Sequence, residues 1–158
     1  MSKIAVLCDD GVEEIECLTV VDFCRRAGIE VITVSVTGKR QIMGAHQIVF
    51  HADEVYADMN FDEFDGIVYP GGPGTGAMGE KPGVKELAQK FLNNGKMLAA
   101  ICAAPGMISE TGILKEKHAT GYPGCKPEGG AIWSEDAAVV DGNLVTGKGP
   151  GAAAEFAI

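Results

Sequence analysis

Basic runs, paired cysteines and long apolar stretches are all missing from this chain, and each absence removes a class of function. No run of Lys or Arg exceeds the pair Arg25–Arg26, and 13 basic against 22 acidic side chains leave a formal charge of −9. A nucleic-acid-binding face, which needs clustered positive charge, has no electrostatic footprint. The most apolar stretch, Met97–Cys102, reaches Met107 only through Pro105 and Gly106, short of the ~18 residues that span a bilayer. The start, Met-Ser-Lys, runs straight into a strand-like segment without an h-region or cleavage site. A cytoplasmic protein without a membrane anchor is expected. The five cysteines, at 8, 17, 24, 102 and 125, are odd in number and form no C-x-x-C pair, which argues against a disulfide framework and a zinc cluster. There is also no G-x-x-x-x-G-K-[ST], no H-E-x-x-H and no calcium loop, so phosphate-loop and metal readings have no support.

Glycine is abundant instead: 22 of 158 residues, or 14%, against about 7% in ordinary chains. The glycines cluster at 71–79, 121–130 and 142–151 without a period, as expected where tight turns bring backbone close to a site. The length fits one domain of ordinary size.

Periodicity predicts alternating strands and helices. Lys3–Cys8 reads as a strand and 13–27 as a helix closed by Gly28; Glu30–Val36 is the next strand, with a hairpin-like excursion at Gln47–Phe50. Gly66–Tyr69 and Met97–Ile101 read as buried strands, Val84–Asn94 as a helix, and 137–146 as a hairpin turning at Asp141-Gly142. This order argues for a mainly parallel sheet covered on both faces. Ligands then bind beyond the carboxyl ends of the strands. Asp9–Glu16, Pro70–Gly79 and Cys102 should converge there.

Cys102 sits at an abrupt strand-to-helix transition between Ala100 and Ala104. Small flanking residues permit a sharp elbow that turns a nucleophile outward, and a helix start should favour the thiolate and lower the thiol pKa. The bland alternative is a buried core cysteine, the reading given to Cys8, Cys17 and Cys24. Glu16 lies at the margin of the apolar arc of its helix. It is either a solvated carboxylate or a partly buried carboxyl that stays protonated and donates to a thiolate. Glu13 and Glu14 are expected in solvent, complementing the helix dipole. Amides of Gly71, Gly72 and Ala103 could form an oxyanion hole. Gly74–Gly79 matches G-x-G-x-x-G, but the end of the following strand carries Cys102 where a dinucleotide site needs an acid.

Glu13-Glu14-Ile15-Glu16, Pro70-Gly71-Gly72, Ala99-Ala100-Ile101-Cys102-Ala103-Ala104-Pro105 and Gly149-Pro150-Gly151 follow one another along the chain. In these the sequence resembles the ThiJ/PfpI superfamily, most closely the branch of Parkinson disease protein seven (DJ-one) and its bacterial relatives. The resemblance implies a flavodoxin-like three-layer α/β sandwich and a homodimer. It implies Cys102 as reactive cysteine, Glu16 as its protonated partner, and backbone oxyanion contacts from Gly72 and Ala103. The activity implied is cofactor-independent and metal-free: a glyoxalase or deglycase acting on methylglyoxal or its early adducts. The rival reading is a cysteine redox sensor or chaperone-like stress protein using the same residues. Two departures bear on this. Where some members carry histidine, this chain has Ala103 and Tyr122, which disfavours a Cys-His protease dyad, and the late H-x-E of class I glutamine amidotransferases is missing. Relatives continue through a further helical segment, so the single domain 1–158 is expected to lack the family's last helix.

Overall fold

The computed structural model describes residues 2–158. In chain order the elements are β1 (Lys3–Cys8), α1 (Glu14–Arg26), β2 (Glu30–Ser35), β3 (Gln41–Met43), β4 (Val49–His51), β5 (Glu54–Val55), β6 (Gly66–Tyr69), α2 (Thr75–Glu80) and α3 (Val84–Asn93). There follow β7 (Met97–Ile101), α4 (Ala104–Ser109), β8 (His118–Ala119), β9 (Ile132–Trp133), β10 (Ala138–Asp141), β11 (Leu144–Gly147) and α5 (Ala153–Ala157). Seven strands form one sheet in the order β10-β11-β7-β6-β1-β2-β5. Every neighbouring pair is parallel except the β10–β11 hairpin. This is the flavodoxin-like α/β arrangement that the alternation of strand and helix patterns predicts.

Strands buried on both faces must be apolar along their whole length, and β1 is buried from Ile4 to Cys8, as is all of β6. One face packs Val20, Val21, Cys17 and Cys24 of α1 with Phe156 of α5 against the sheet. The other packs α3 through Val84, Leu87, Ala88, Phe91 and Leu92 with Met107 and Ile108 of α4. From β1 the chain steps outward to β2 and β5, then returns to the other side of β1 as β6 and proceeds to β7 and β11. Reversal of strand order opens a crevice at the carboxyl ends of β1 and β6.

The structure departs from the sequence reading in three places. The glycine-rich 75–80 stretch is a short helix, because burial of Thr75, Met78 and Gly79 overrides its poor helix propensity. The β3–β4 hairpin turns at residues 44–48, with Gly44 N–H donating to Ile48 O at 3.0 Å. Glu13 and Glu14 are not in solvent: they are 8% and 4% exposed. Glu14 accepts from the backbone N–H groups of His46 and Ile48 at 2.9 and 3.2 Å, and one of its oxygens lies 3.1 Å from His46 Nδ1. The carboxylate thus satisfies the amides of the hairpin turn and fastens the turn to the start of α1. Burial alone would push the Glu14 carboxyl up, but hydrogen bonds from its own backbone, from His46 and from Ile48 outweigh it and hold the group below its ordinary value.

Replacing Glu14 by Ala strands two amides and should cost about 2 kcal/mol at neutral pH. Because a lowered carboxyl pKa stabilises the fold above the unfolded value and is lost as pH falls through the folded one, the deficit should shrink in acid. Urea unfolding of both proteins at neutral and acid pH reads this directly.

Candidate active site

Three elements of the crevice meet at Cys102. The residue follows β7 with φ of 65°, a left-handed conformation that costs a non-glycine residue of order 1–3 kcal/mol. It is held from both sides. Cys102 N–H donates to Gly147 O at the end of β11 at 2.9 Å, and Cys102 O accepts from Tyr122 N–H at 2.8 Å. The strained elbow is what the small residues on either side of Cys102 predict, and it leaves the side chain 8% exposed.

The second element is α1. Glu13 caps it, with its side chain accepting from Ile15 N–H at 3.4 Å, and one turn along, Glu16 is wholly buried. Glu16 Oε1 accepts from Gly71 N–H at 3.0 Å, while Oε2 is buried with no regular hydrogen bond. The Cys102 thiol stands beside this carboxyl, near enough that each group shifts the other's titration. Of the two sequence readings of Glu16, the buried one is what the fold adopts.

The third element is the turn after β6. Gly71 is the hinge of the site: a Cβ there would lie 2.6 Å from Cys102 Cβ, 2.7 Å from Glu16 Oε1 and 2.8 Å from Ile101 O. No side chain fits. Its carbonyl accepts from Glu13 N–H at 3.0 Å, so one residue positions both the cap of α1 and Glu16. Since the Gly71 amide is spent on Glu16, it is unavailable to a substrate oxygen. The amides of Gly72 (φ 110°) and Ala103 donate to no backbone carbonyl among the described residues. Both line an open cavity of about 870 Å³, shared with Gly106, Met107, Cys125 and Lys126.

Electrostatics correct one expectation. The thiol of Cys102 is not lowered but pushed up to about 12, by burial first and then by the charge and hydrogen bonding of Glu16. The amide of Ala103 acts the other way, but α4 has only six residues, and a carboxylate in contact outweighs so short a helix. Glu16 is raised from 4.5 to about 7, chiefly by burial, against hydrogen bonds from Cys102 and Gly71. The two titrate as a unit. The first proton leaves near 7 and the second near 12, and in between the pair shares one proton and one negative charge. In the form with the proton on Glu16 Oε2, the unpartnered oxygen becomes a donor and the sulfur a nucleophile.

No histidine lines this cavity. His46 is bound to Glu14 and His118 belongs to the exposed end of β8. Glu13, Glu14 and His46 bring possible ligand atoms within 4.8 Å of one another, but the Glu14 oxygens already accept from the hairpin amides. The glycine clusters at 121–130 and 142–151 mark turns near a site, but the contacts that Gly147 and Tyr122 make with the elbow form across 20 residues or more and are not legible locally.

A cysteine on a strained elbow with a buried carboxyl at its sulfur, set at the crossover of a parallel sheet, defines a cysteine-centred site on a flavodoxin-like α/β fold. The family model described as the DJ-1/PfpI family matches residues 2–158, and the chain belongs to that family. It is 39% identical to protein dj-1beta of Drosophila melanogaster over the whole of this chain and 87% of that protein. The crystal structure of the same fly protein superposes with a TM-score of 0.91 over 99% of this chain and 87% of that one, at 36% identity. The glutathione-independent glyoxalase DJR-1.2 of Caenorhabditis elegans is 32% identical over 99% of this chain and 85% of its own length. Deglycase PfpI of Pyrococcus furiosus is 33% identical over 94% of this chain and 91% of its own.

Burying a carboxyl with a raised pKa destabilises the fold once the group ionises. Below about 4.5 the folded and unfolded states are both protonated and nothing is lost; between about 4.5 and 7 the unfolded chain ionises first, so stability falls with rising pH, by about 3 kcal/mol in full. Glu16→Gln, which keeps the Gly71 contact, should therefore raise the melting temperature above pH 7 and leave it nearly unchanged near pH 4. It should also bring the Cys102 thiol below about 12 by removing the adjacent charge, as read by ultraviolet thiolate absorbance.

Proposed function

We propose that this protein is a cofactor-independent glyoxalase of the deglycase type, acting on methylglyoxal or its early adducts through Cys102 and Glu16. The observation that carries the reading is the buried Glu16 carboxyl beside the Cys102 elbow, two groups sharing one proton next to a cavity lined by Gly72 and Ala103. The glyoxalase and deglycase names borne by two relatives point the same way.

The sulfur adds to the aldehyde carbon, forming a C–S bond and an alkoxide that the Gly72 and Ala103 amides receive and the Glu16 proton neutralises. Glu16, now a carboxylate, takes the hydrogen of that same carbon as a proton and returns it to the neighbouring ketone carbon by way of an enediol, while the hydroxyl proton of the first carbon passes to the ketone oxygen. The product is a lactoyl thioester on Cys102. Water cleaves it, releasing lactate and restoring the thiol, so that methylglyoxal and water are consumed and no electron donor is needed.

Lactate formation from methylglyoxal by the wild type should rise with pH through about 7, as the pair loses its first proton. Cys102→Ser should abolish it, and Glu16→Gln should lower kcat by roughly 10²–10⁴-fold. A wild type that forms no lactate, or a Glu16→Gln variant of unchanged kcat, rejects the mechanism.

The homodimer reading is supported by an apolar surface beside the site. Ile15 of α1 is 53% exposed and Ile48 and Val49 of the hairpin 52% and 46%, on elements that Glu14 ties together. A second copy of this chain would cover them by a two-fold contact. Light scattering at micromolar concentration should give twice the mass of 16.5 kDa, and Ile48→Asp should return the monomer.

A further inference from the structure

A second cysteine, Cys125, stands close to the Cys102 elbow and lines the cavity. Cys8, Cys17 and Cys24 are buried in the core and Cys125 alone is half-exposed. Two backbone bonds tie its loop to the elbow: Tyr122 N–H donates to Cys102 O, and Cys125 N–H donates to Tyr122 O, each at 2.8 Å. Two glycines make room for this approach. A Cβ at Gly121 would lie 3.1 Å from Cys102 O and 3.5 Å from Cys125 O, and one at Gly106 in the first turn of α4 would lie 2.6 Å from Cys125 O. Cys125 and Ala103 line the same cavity, and the charge of a Cys125 thiolate is felt at the Cys102 sulfur. Cys125 thus stands on the cavity wall beside the residue that follows Cys102. The mechanism above gives Cys125 no part.

We infer that Cys125 is a resolving cysteine, which closes an intramolecular disulfide with Cys102 after a hydroperoxide has oxidised the Cys102 sulfur. The inference rests on the reactivity of Cys102 proposed above but not on aldehyde chemistry. In the first step the Cys102 thiolate attacks the distal oxygen of the hydroperoxide; an S–O bond forms, the O–O bond breaks, and the Glu16 proton passes to the departing oxygen. Cys102 is then a sulfenic acid and the hydroperoxide has become an alcohol, or water if the oxidant is hydrogen peroxide. In the second step the Cys125 thiolate attacks that sulfur, the S–S bond forms, and hydroxide leaves with a proton supplied by solvent. Two thiols have lost two electrons in all and the oxidant has gained them. A disulfide at this point protects Cys102 from further oxidation to the irreversible sulfinic acid, and any dithiol reductant returns the site to its starting state by exchange.

The full-length protein, treated with graded hydrogen peroxide, blocked with N-ethylmaleimide and digested without reductant, should yield a Cys102-containing peptide linked to the Cys125 peptide, released by dithiothreitol. Cys125→Ser, and Cys125→Ala as a second variant should serine disturb the turn, should form no such link and accumulate Cys102 sulfinic acid at a several-fold lower peroxide dose. Equal sulfinic acid in wild type and both variants, or a wild-type link joining Cys8 to Cys17 in place of Cys102 to Cys125, overturns the inference. Lactate formation by the untreated wild type separates the two readings: a disulfide without turnover rejects only the aldehyde chemistry, and turnover without a disulfide rejects only the resolving role.

Discussion

The contact on which the rest of the molecule depends is the buried one between the Glu16 carboxyl and the Gly71 amide. It joins the helix after β1 to the turn after β6 at the point where the strand order reverses. A carboxyl taken out of water must be hydrogen-bonded or neutral, and this one is served on one oxygen only. Burial is what raises its affinity for a proton, and that proton is one it shares with the neighbouring sulfur. Glycine at 71 follows from the same demand, because the backbone must approach both Glu16 and Cys102 more closely than a Cβ permits.

Around this contact the fold works as a set of constraints on backbone position. The elbow at Cys102 is strained, and strain of this kind persists only where the surroundings over-determine it. Gly147 on one side and Tyr122 on the other do so through hydrogen bonds to the same residue. Glu14 acts in the same sense at a distance. By taking up the amides of the β3–β4 turn it holds the start of α1, and the position of Glu16 one half-turn later follows. Two members of one acidic segment thereby have opposite fates: Glu14 is surrounded by donors and is held below its ordinary value, while Glu16, buried with one amide donor and a thiol, holds its proton up to about 7.

The cysteines divide on similar grounds. Cys8 and Cys17 lie 3.6 Å apart in a dry core, where their mutual hydrogen bond and burial push the Cys8 thiol well above its ordinary range. Without a charged donor or a path for reagents they are packing residues. Cys102 shares that core but sits on the elbow next to Ala103, which lines the cavity, and Cys125 lies on the cavity wall. Position relative to solvent, not residue type, separates them.

The sequence by itself determined the elements, because their signals are local. The apolar runs of β1, β6 and β7, the amphipathic face of α3 and the small residues beside Cys102 are each legible within a few positions. The alternation of those elements already implied a parallel sheet and a site at its carboxyl edge. Only the tertiary structure decided which carboxyls are buried, because burial of Glu13, Glu14 and Glu16 depends on a hairpin some 30 residues away and on a turn 55 residues away. The direction of the Cys102 titration was decided there too. A helix start is visible in the sequence and favours the thiolate, but the Glu16 carboxyl and the dry surroundings that oppose it come together only when β1, β6 and β7 lie side by side.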